Sequence, residues 1–290
     1  VSYYADPEGY AFNGLNRPNN HRFWSALTET ELAGRAAIKY HLYGKDSTGV
    51  KDSSSVRGNF TIGANYRSKK REFDFDQFNY DISFGEGQYV QNKYTPDENL
   101  NSDSLQNGGF YIQEQVAPES EYNATLDIFA AYLGFDYDIT KKFKVLAGAR
   151  LEQSKQVINF KTLRNGFGKE DFQTAEIDTF NVFPSLGFKY TPKEKTNLRF
   201  ATSQTITRPK FTEVAPFLRQ NREGDQEQGN PLLQNAYSYN ADIKYETSKN
   251  YGELMSVTLF GRYLDSPIER IAQASSSTIY SYQNIESAMV

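Results

Sequence analysis

Two histidines, His21 and His41, and no cysteine are all that this 290-residue chain offers for imidazole or thiolate chemistry. Neither histidine sits in a nucleophile-type motif, so a Ser/His/Asp arrangement has no support. His41 alone makes no ligand site. Without cysteine there is no disulfide framework and no thiolate metal site. No glycine-rich phosphate loop occurs. The acidic run Glu223-Gly224-Asp225-Gln226-Glu227 carries oxygens of the kind a hard cation needs, but it reads as a solvated loop. The sequence therefore predicts no enzyme, no cofactor and no metal.

What remains is charge placed at alternate positions in greasy ribbons. Arg57, Arg67, Arg150, Arg199 and Arg262 fall on the polar side of such ribbons, as do the carboxylates Glu152, Asp242 and Glu246. These eight residues are the candidate site. They would guide an anionic ligand, pair with one another across an aqueous interior, or touch a domain that fills it. A second candidate is the alternation of Phe73, Phe75, Phe78 and Tyr80 with Asp74, Asp76 and Asp81. It could stack a sugar or a chelate. The reading preferred here is a strand prolonged beyond a membrane. Arg208-Pro209 and Gly229-Asn230-Pro231 read as bends at strand–loop borders rather than ligand contacts.

The elements that hold these residues are strands. Side chains of a strand alternate faces with period two. From Asp178, residues Phe180, Val182, Pro184, Leu186, Phe188 and Tyr190 share one face, and Asn181, Phe183, Ser185, Gly187 and Lys189 the other. A polar turn at Thr191–Asn197 follows, then a return strand from Leu198 to Thr207. Val56–Arg67 alternates most cleanly, and Arg35–Tyr43, Ala124–Ile139, Phe143–Gln153, Tyr237–Glu246 and Met255–Tyr263 follow the same rule. A last strand is expected near Ile279–Val290. Residues 1–34 and 69–123 read mainly as extracellular loop, with a short helical turn near Ser25–Leu32, and residues 160–177 as a charged loop. Regular hairpins fill 124–290, and the whole of 1–290 reads as one domain.

Short turns near 141, 194 and 250 alternate with long polar loops, the pattern of an outer-membrane barrel. Strands of about ten residues match the ~9–11 that cross a bilayer when tilted. The chain holds 21 Tyr and 21 Phe, which gather beside the turns, at Tyr137 and Phe143, Tyr190, Tyr245 and Tyr251, as membrane-interface girdles do. Mean hydropathy is negative, and no apolar run is long enough for a spanning helix. A barrel escapes that test because only alternate residues face lipid. A formal net charge of -4 gives no electrostatic case for nucleic acid. Val1-Ser2-Tyr3-Tyr4 shows neither the basic nor the apolar part of a signal peptide. In hydrocarbon a sheet satisfies its backbone only by closing. About nine or ten strands is short of a large closed barrel, so the sequence reads as one arc of an all-β, antiparallel, up-and-down transmembrane barrel.

The wording from Leu198 onward is more specific. Arg199-Phe200-Ala201-Thr202-Ser203-Gln204-Thr205-Ile206-Thr207-Arg208-Pro209, Ala215-Pro216-Phe217 and Gly229-Asn230-Pro231-Leu232-Leu233 resemble the barrel of TonB-dependent outer-membrane receptors, especially the Bacteroidetes type. Tyr239–Glu246, Asp265-Ser266-Pro267-Ile268-Glu269 and Tyr282-Gln283-Asn284 continue the resemblance in the expected order, and Gly148–Glu152 and Phe183–Leu186 precede it. It implies a Gram-negative outer membrane and a barrel of about 22 strands around a plug. It also implies active uptake of a scarce nutrient (siderophore, cobalamin, sugar or peptide) driven through TonB. No plug and no TonB box are found in these residues. Implied partners are outer-membrane lipid, the plug of the parent chain, TonB through that plug, and a small molecule. The alternatives are a passive outer-membrane pore or structural barrel, and a soluble β-rich binding module.

Overall fold

The computed structural model describes residues 3–6, 9–12, 21–45, 51–81, 89–90, 111–114, 121–164, 169–216, 218–220, 226–248, 252–273 and 279–290. In chain order the strands are β1 (Tyr3–Asp6), β2 (Gly9–Phe12), β3 (His21–Lys45), β4 (Lys51–Asp81), β5 (Tyr89–Val90), β6 (Tyr111–Glu114), β7 (Tyr122–Thr140), β8 (Phe143–Arg164), β9 (Lys169–Lys193) and β10 (Thr196–Thr207). Then come helix α1 (Phe211–Val214), β11 (Leu218–Gln220), β12 (Gln226–Gln228), β13 (Ala236–Thr247), β14 (Met255–Asp265), β15 (Ile268–Gln273), β16 (Ile279–Asn284) and β17 (Ser287–Met289).

Nine of them form one antiparallel path, β17-β14-β13-β10-β9-β8-β7-β4-β3, with β6 added beside β4. From β3 to β14 the strands of this path follow one another in chain order, with only the short strands β5, β6, β11 and β12 intervening, as an up-and-down barrel wall requires. The ends of the path do not meet among the described residues. The hairpin turns are tight: β7 and β8 are joined by Lys141-Lys142, β9 and β10 by Glu194-Lys195. Lys195 takes a left-handed φ of 63° to reverse the chain there.

Register decides which side chains share a face. Tyr40, Phe60, Phe135, Ala147, Leu186, Thr202, Ala241 and Gly261 are successive partners across eight strands. One step nearer the short turns lie Leu42, Gly58, Tyr137, Val145, Phe188, Phe200, Ile243 and Leu259. Between the level of Tyr66–Phe129 and that of Tyr190–Leu198, the only Asp, Glu, Lys or Arg on this face among the described residues is Asp265, at the loop end of β14 opposite Tyr237. Its side chains are bare: Ile38 is 73% and Leu259 68% exposed. From Phe129 to Tyr137 the strand rises ~26 Å. A tilt of about 40° projects that to ~20 Å, near the ~25 Å apolar band of membrane barrels. Aromatic rings stack along its lower part, with Phe143–Phe188 at 5.9 Å and Phe188–Phe200 at 6.2 Å. Tyr190 and Tyr245 stand on the same face beside the turns. Tyr251 lies outside the described residues.

The other face is polar. Lys39, Thr61, Gly134, Gly148, Ser185, Ser203, Asn240 and Arg262 make one of its rows. An apolar core exists only toward the long-loop end among the described residues. There Tyr122, Ala124, Ile158, Phe160 and Ala175 of the inner face meet Phe211, Val214, Ala215 and Leu233. Among those residues no helix is long and apolar enough to cross a membrane.

Several expectations need correction. Residues 21–34 and 69–72 are strand, not loop, and no helical turn forms at 25–32, while 73–81 continue β4 as the prolonged strand expected there. The pairs Leu27↔Phe73 and Ala26↔Asp74 continue the ladder well beyond the apolar band. Glu29 and Glu31 face Arg67, Lys69 and Arg71, with Lys69 Nζ 2.8 Å from Glu29 and Arg67 bidentate on Glu31 at 2.9 Å. Those bonds hold both carboxyls below their usual range. Water reaches both faces here, so no greasy alternation marks the strand. Similarly β8 runs to Arg164 and β9 starts at Lys169, inside the expected loop 160–177. The last strand breaks: β16 pairs with β15, and only β17 rejoins the main sheet on β14.

Candidate functional site

The polar face carries the chemistry, and its upper half is organised around one carboxylate. Glu152 is only 4% exposed, at the lower edge of the buried patch on the inner face. Arg150 donates Nε and Nη2 to its Oε2 at 2.8 and 2.5 Å, and Arg208 donates Nη2 to its Oε1. Arg150 also reaches Asn65 Oδ1 at 2.5 Å. Such charge-assisted bonds offset the desolvation that burying a lone carboxylate would cost. Beside this pair runs a chain of neutral polar groups. Arg208 Nε donates to Ser154 Oγ at 3.4 Å, Ser154 and Thr179 hydroxyls lie 3.2 Å apart, and Asn235 Nδ2 donates to Thr179 at 3.1 Å. Tyr237 donates its hydroxyl to Asn181 Oδ1 at 2.8 Å.

Arg208 arrives there because the segment after β10 turns inward. Gln156 Nε2 holds the carbonyl of Pro209 at 3.0 Å. Helix α1 is closed by Lys210 N donating to Glu213 Oε2 at 2.9 Å, a capping-box bond. Phe211 lies under the Arg71 guanidinium, 5.2 Å from its ring centre. Gly229 passes so close to the Ala215 carbonyl that no side chain fits, and Asn230 N donates to Glu213 O at 2.7 Å. Asn230 Nδ2 donates to the Tyr282 carbonyl at 2.9 Å and Asn284 Nδ2 to the Gln234 carbonyl at 3.1 Å, which ties this loop to β16. Arg208-Pro209 and Gly229-Asn230-Pro231 thus do more than bend the chain. They seat an extracellular loop on the inner face of β7, β8 and β9.

The eight candidate residues divide into three places. Arg67, Arg150 and Glu152 stand on the upper inner face, Arg67 bound to Glu31. Arg199, Asp242, Glu246 and Arg262 stand on the lower inner face. There Arg199 pairs with Glu246 at 3.4 Å, and Arg262 donates Nε to Asn240 Oδ1 at 2.9 Å. Arg57 is apart, at the turn-side rim, with its guanidinium 5.9 Å from the Tyr137 ring. His41 Nδ1 lies 2.7 Å from Asn59 Oδ1, and the side chain of His21 lies outside the described residues. In the Phe/Asp alternation, Phe78 meets Trp24 edge to face at 5.2 Å. The side chains of Phe75, Tyr80 and Asp81, and residues 223–225 of the acidic run, lie outside the described residues.

Two concave regions mark the inner face. One, of about 830 Å³, lies over the lower parts of β7–β10, where Gly148, Ser185, Gly187 and Ala201 keep the wall shallow and Lys144 and Arg199 flank it. The other, of about 550 Å³, lies higher, among Arg35, Asn65, Arg67, Tyr132 and Arg150. Arg35 was legible as inward-facing from its alternation with Ala36 and Ile38. Arg208 was not, because its partner Glu152 is far away in sequence and belongs to another strand.

The sequence profile of the outer membrane protein beta-barrel family matches residues 53–289. Among solved structures, the copper transporter OprC superposes with a TM-score of 0.58 at 10% identity, over 92% of this chain and 35% of that one. The ferric yersiniabactin uptake receptor FyuA from Yersinia pestis gives 0.50 at 9% identity, over 92% and 32%. At such identities the likeness is one of fold, and the chain spans roughly a third of either structure. No curated protein sequence matches significantly. An apolar outer face, a polar inner face, antiparallel pairing of successive wall strands and the profile match agree: the chain belongs to the outer membrane protein beta-barrel family and forms part of a barrel wall in the outer membrane.

Proposed function

We propose that this wall belongs to a receptor that takes up a scarce small nutrient across the outer membrane, energised from the inner membrane through TonB. The observation that carries the reading is the inward-seated loop. Residues 208–216 and 228–235 occupy the inner face instead of leaving it open, and a buried Arg150–Glu152–Arg208 cluster pins them. A passive pore needs an unobstructed aqueous path, whereas a receptor needs a shaped inner surface. The fold shared with a copper transporter and a ferric yersiniabactin receptor supports the same reading. The lower inner-face residues Arg199, Asp242, Glu246 and Arg262 are proposed to meet a plug supplied by the parent chain, and Arg67 and Arg150 to meet ligand.

The test is genetic and transport-based. Deleting the parent gene should abolish growth on one limiting nutrient, and deleting TonB should reproduce that defect. Reconstituted full-length protein should leave liposomes closed to small sugars. Rapid liposome swelling, together with uptake indifferent to TonB, would overturn the proposal in favour of a passive pore.

A further inference from the structure

The upper concavity has an imbalance of charge that its own side chains do not settle. Three guanidiniums, Arg35, Arg67 and Arg150, line it, and the carboxylates that serve them are Glu31 and Glu152, the latter shared with Arg208. Arg67 is satisfied by Glu31 through two bonds of 2.9 Å. Glu152 serves Arg150 with one oxygen and Arg208 with the other. Arg35 has no carboxylate within ion-pair distance among the described residues. Its Nε donates to the Tyr132 hydroxyl at 3.2 Å and its guanidinium carbon lies 5.7 Å from that ring's centre.

Arg35 is also held ready. Gly63 has no side chain, and the Tyr132 ring occupies the place where a Cβ would stand, 2.5 Å from ring atoms. The phenol is thereby laid against β4, and it supports the guanidinium that stacks on it. With Nε committed to Tyr132, both terminal nitrogens of Arg35 remain as donors toward the cavity. Arginine presents these in a planar fork that matches two oxygens of a carboxylate or phosphate. A cation fixed in place before binding loses little freedom on meeting an anion.

We infer that Arg35, braced by Tyr132 over Gly63 and backed by Arg150 and Arg67, forms a binding site for a small-molecule oxyanion, a carboxylate or phosphate group. This rests on the uptake reading for its purpose, but equilibrium binding needs no energy coupling, so the two fail separately. The test uses the full-length protein in detergent and titrates citrate and inorganic phosphate calorimetrically. At least one should bind, and which one does distinguishes the carboxylate source from the phosphate source. Arg35→Gln should weaken binding by about tenfold or more, the loss of a charge-assisted contact. Arg35→Lys, which keeps the charge and loses the fork, should fall between. Tyr132→Phe should weaken binding while leaving the thermal midpoint in place. If neither anion binds at concentrations on the order of 10 mM, or if Arg35→Gln binds as the parent does, the assignment is wrong. If the site proves filled by an acidic side chain of the parent chain, the small-molecule assignment is equally wrong.

Discussion

Glu152 shows how much one residue organises when it is the one carboxylate that two arginines share. Removing it leaves Arg150 and Arg208 facing each other with no counter-charge, a change that costs about 3 kcal/mol when one partner of a buried pair is deleted. Glu152→Ala should therefore lower the denaturant midpoint of the folded protein in detergent. It should also loosen the inward loop, so that trypsin cuts after Lys210 in the variant far faster than in the parent. Equal cleavage in both would show that the loop is held by its apolar residues alone. The sequence displayed Glu152 and Arg150 as inward neighbours two positions apart, which strand period makes plain. It concealed Arg208, because a residue after the end of a strand has no period to obey. Its position is set by where Pro209 and Phe211 land, and that depends on the core formed by Tyr122, Ile158 and Phe160.

At the scale of the strand, legibility followed the solvent. Where one face meets lipid and the other water, alternation is strong: Ala124–Ile139 and Leu198–Thr207 were readable to within two residues, as was the start of β8 at Phe143. Where both faces meet water, Thr28-Glu29-Thr30-Glu31 and Lys69–Phe73 look like loop, yet they pair strand to strand over their whole length. The partner's charges, not local hydropathy, specify the register there. The same contrast gives an experiment. Leu133 and Gly134 are adjacent, and register puts Leu133 in the apolar band and Gly134 in the polar row. Leu133→Arg should destabilise the barrel by about 2–4 kcal/mol, the cost of a cation facing mid-bilayer lipid. Gly134→Ser should stay within about 1 kcal/mol of the parent, since nothing crowds its Cβ and strand preferences span no more than that. Refolding into lipid vesicles with a denaturant titration reads both, and similar losses at the two positions would remove the distinction between the faces.

For the molecule as a whole, two faces of opposite character on one curved sheet explain the rest. The apolar face requires a bilayer, the bilayer requires a wall with its backbone paired, and the inner face is left free to carry charge and to receive a loop. The composition said as much in outline: many aromatics, no cysteine and a negative mean hydropathy together fit a barrel better than a helical membrane protein. It did not reveal that the loop between β10 and β13 folds back inside. The most direct check on the lipid-and-water division exploits the absence of native cysteine in these residues. Single cysteines at each position from Ala131 to Tyr137 of the full-length protein, spin-labelled and reconstituted in vesicles, report collision rates with oxygen and with a water-soluble nickel chelate. The account predicts a two-residue alternation, with odd positions reached by oxygen and even positions reached by the chelate; chelate access at every position, or oxygen access without alternation, would contradict it.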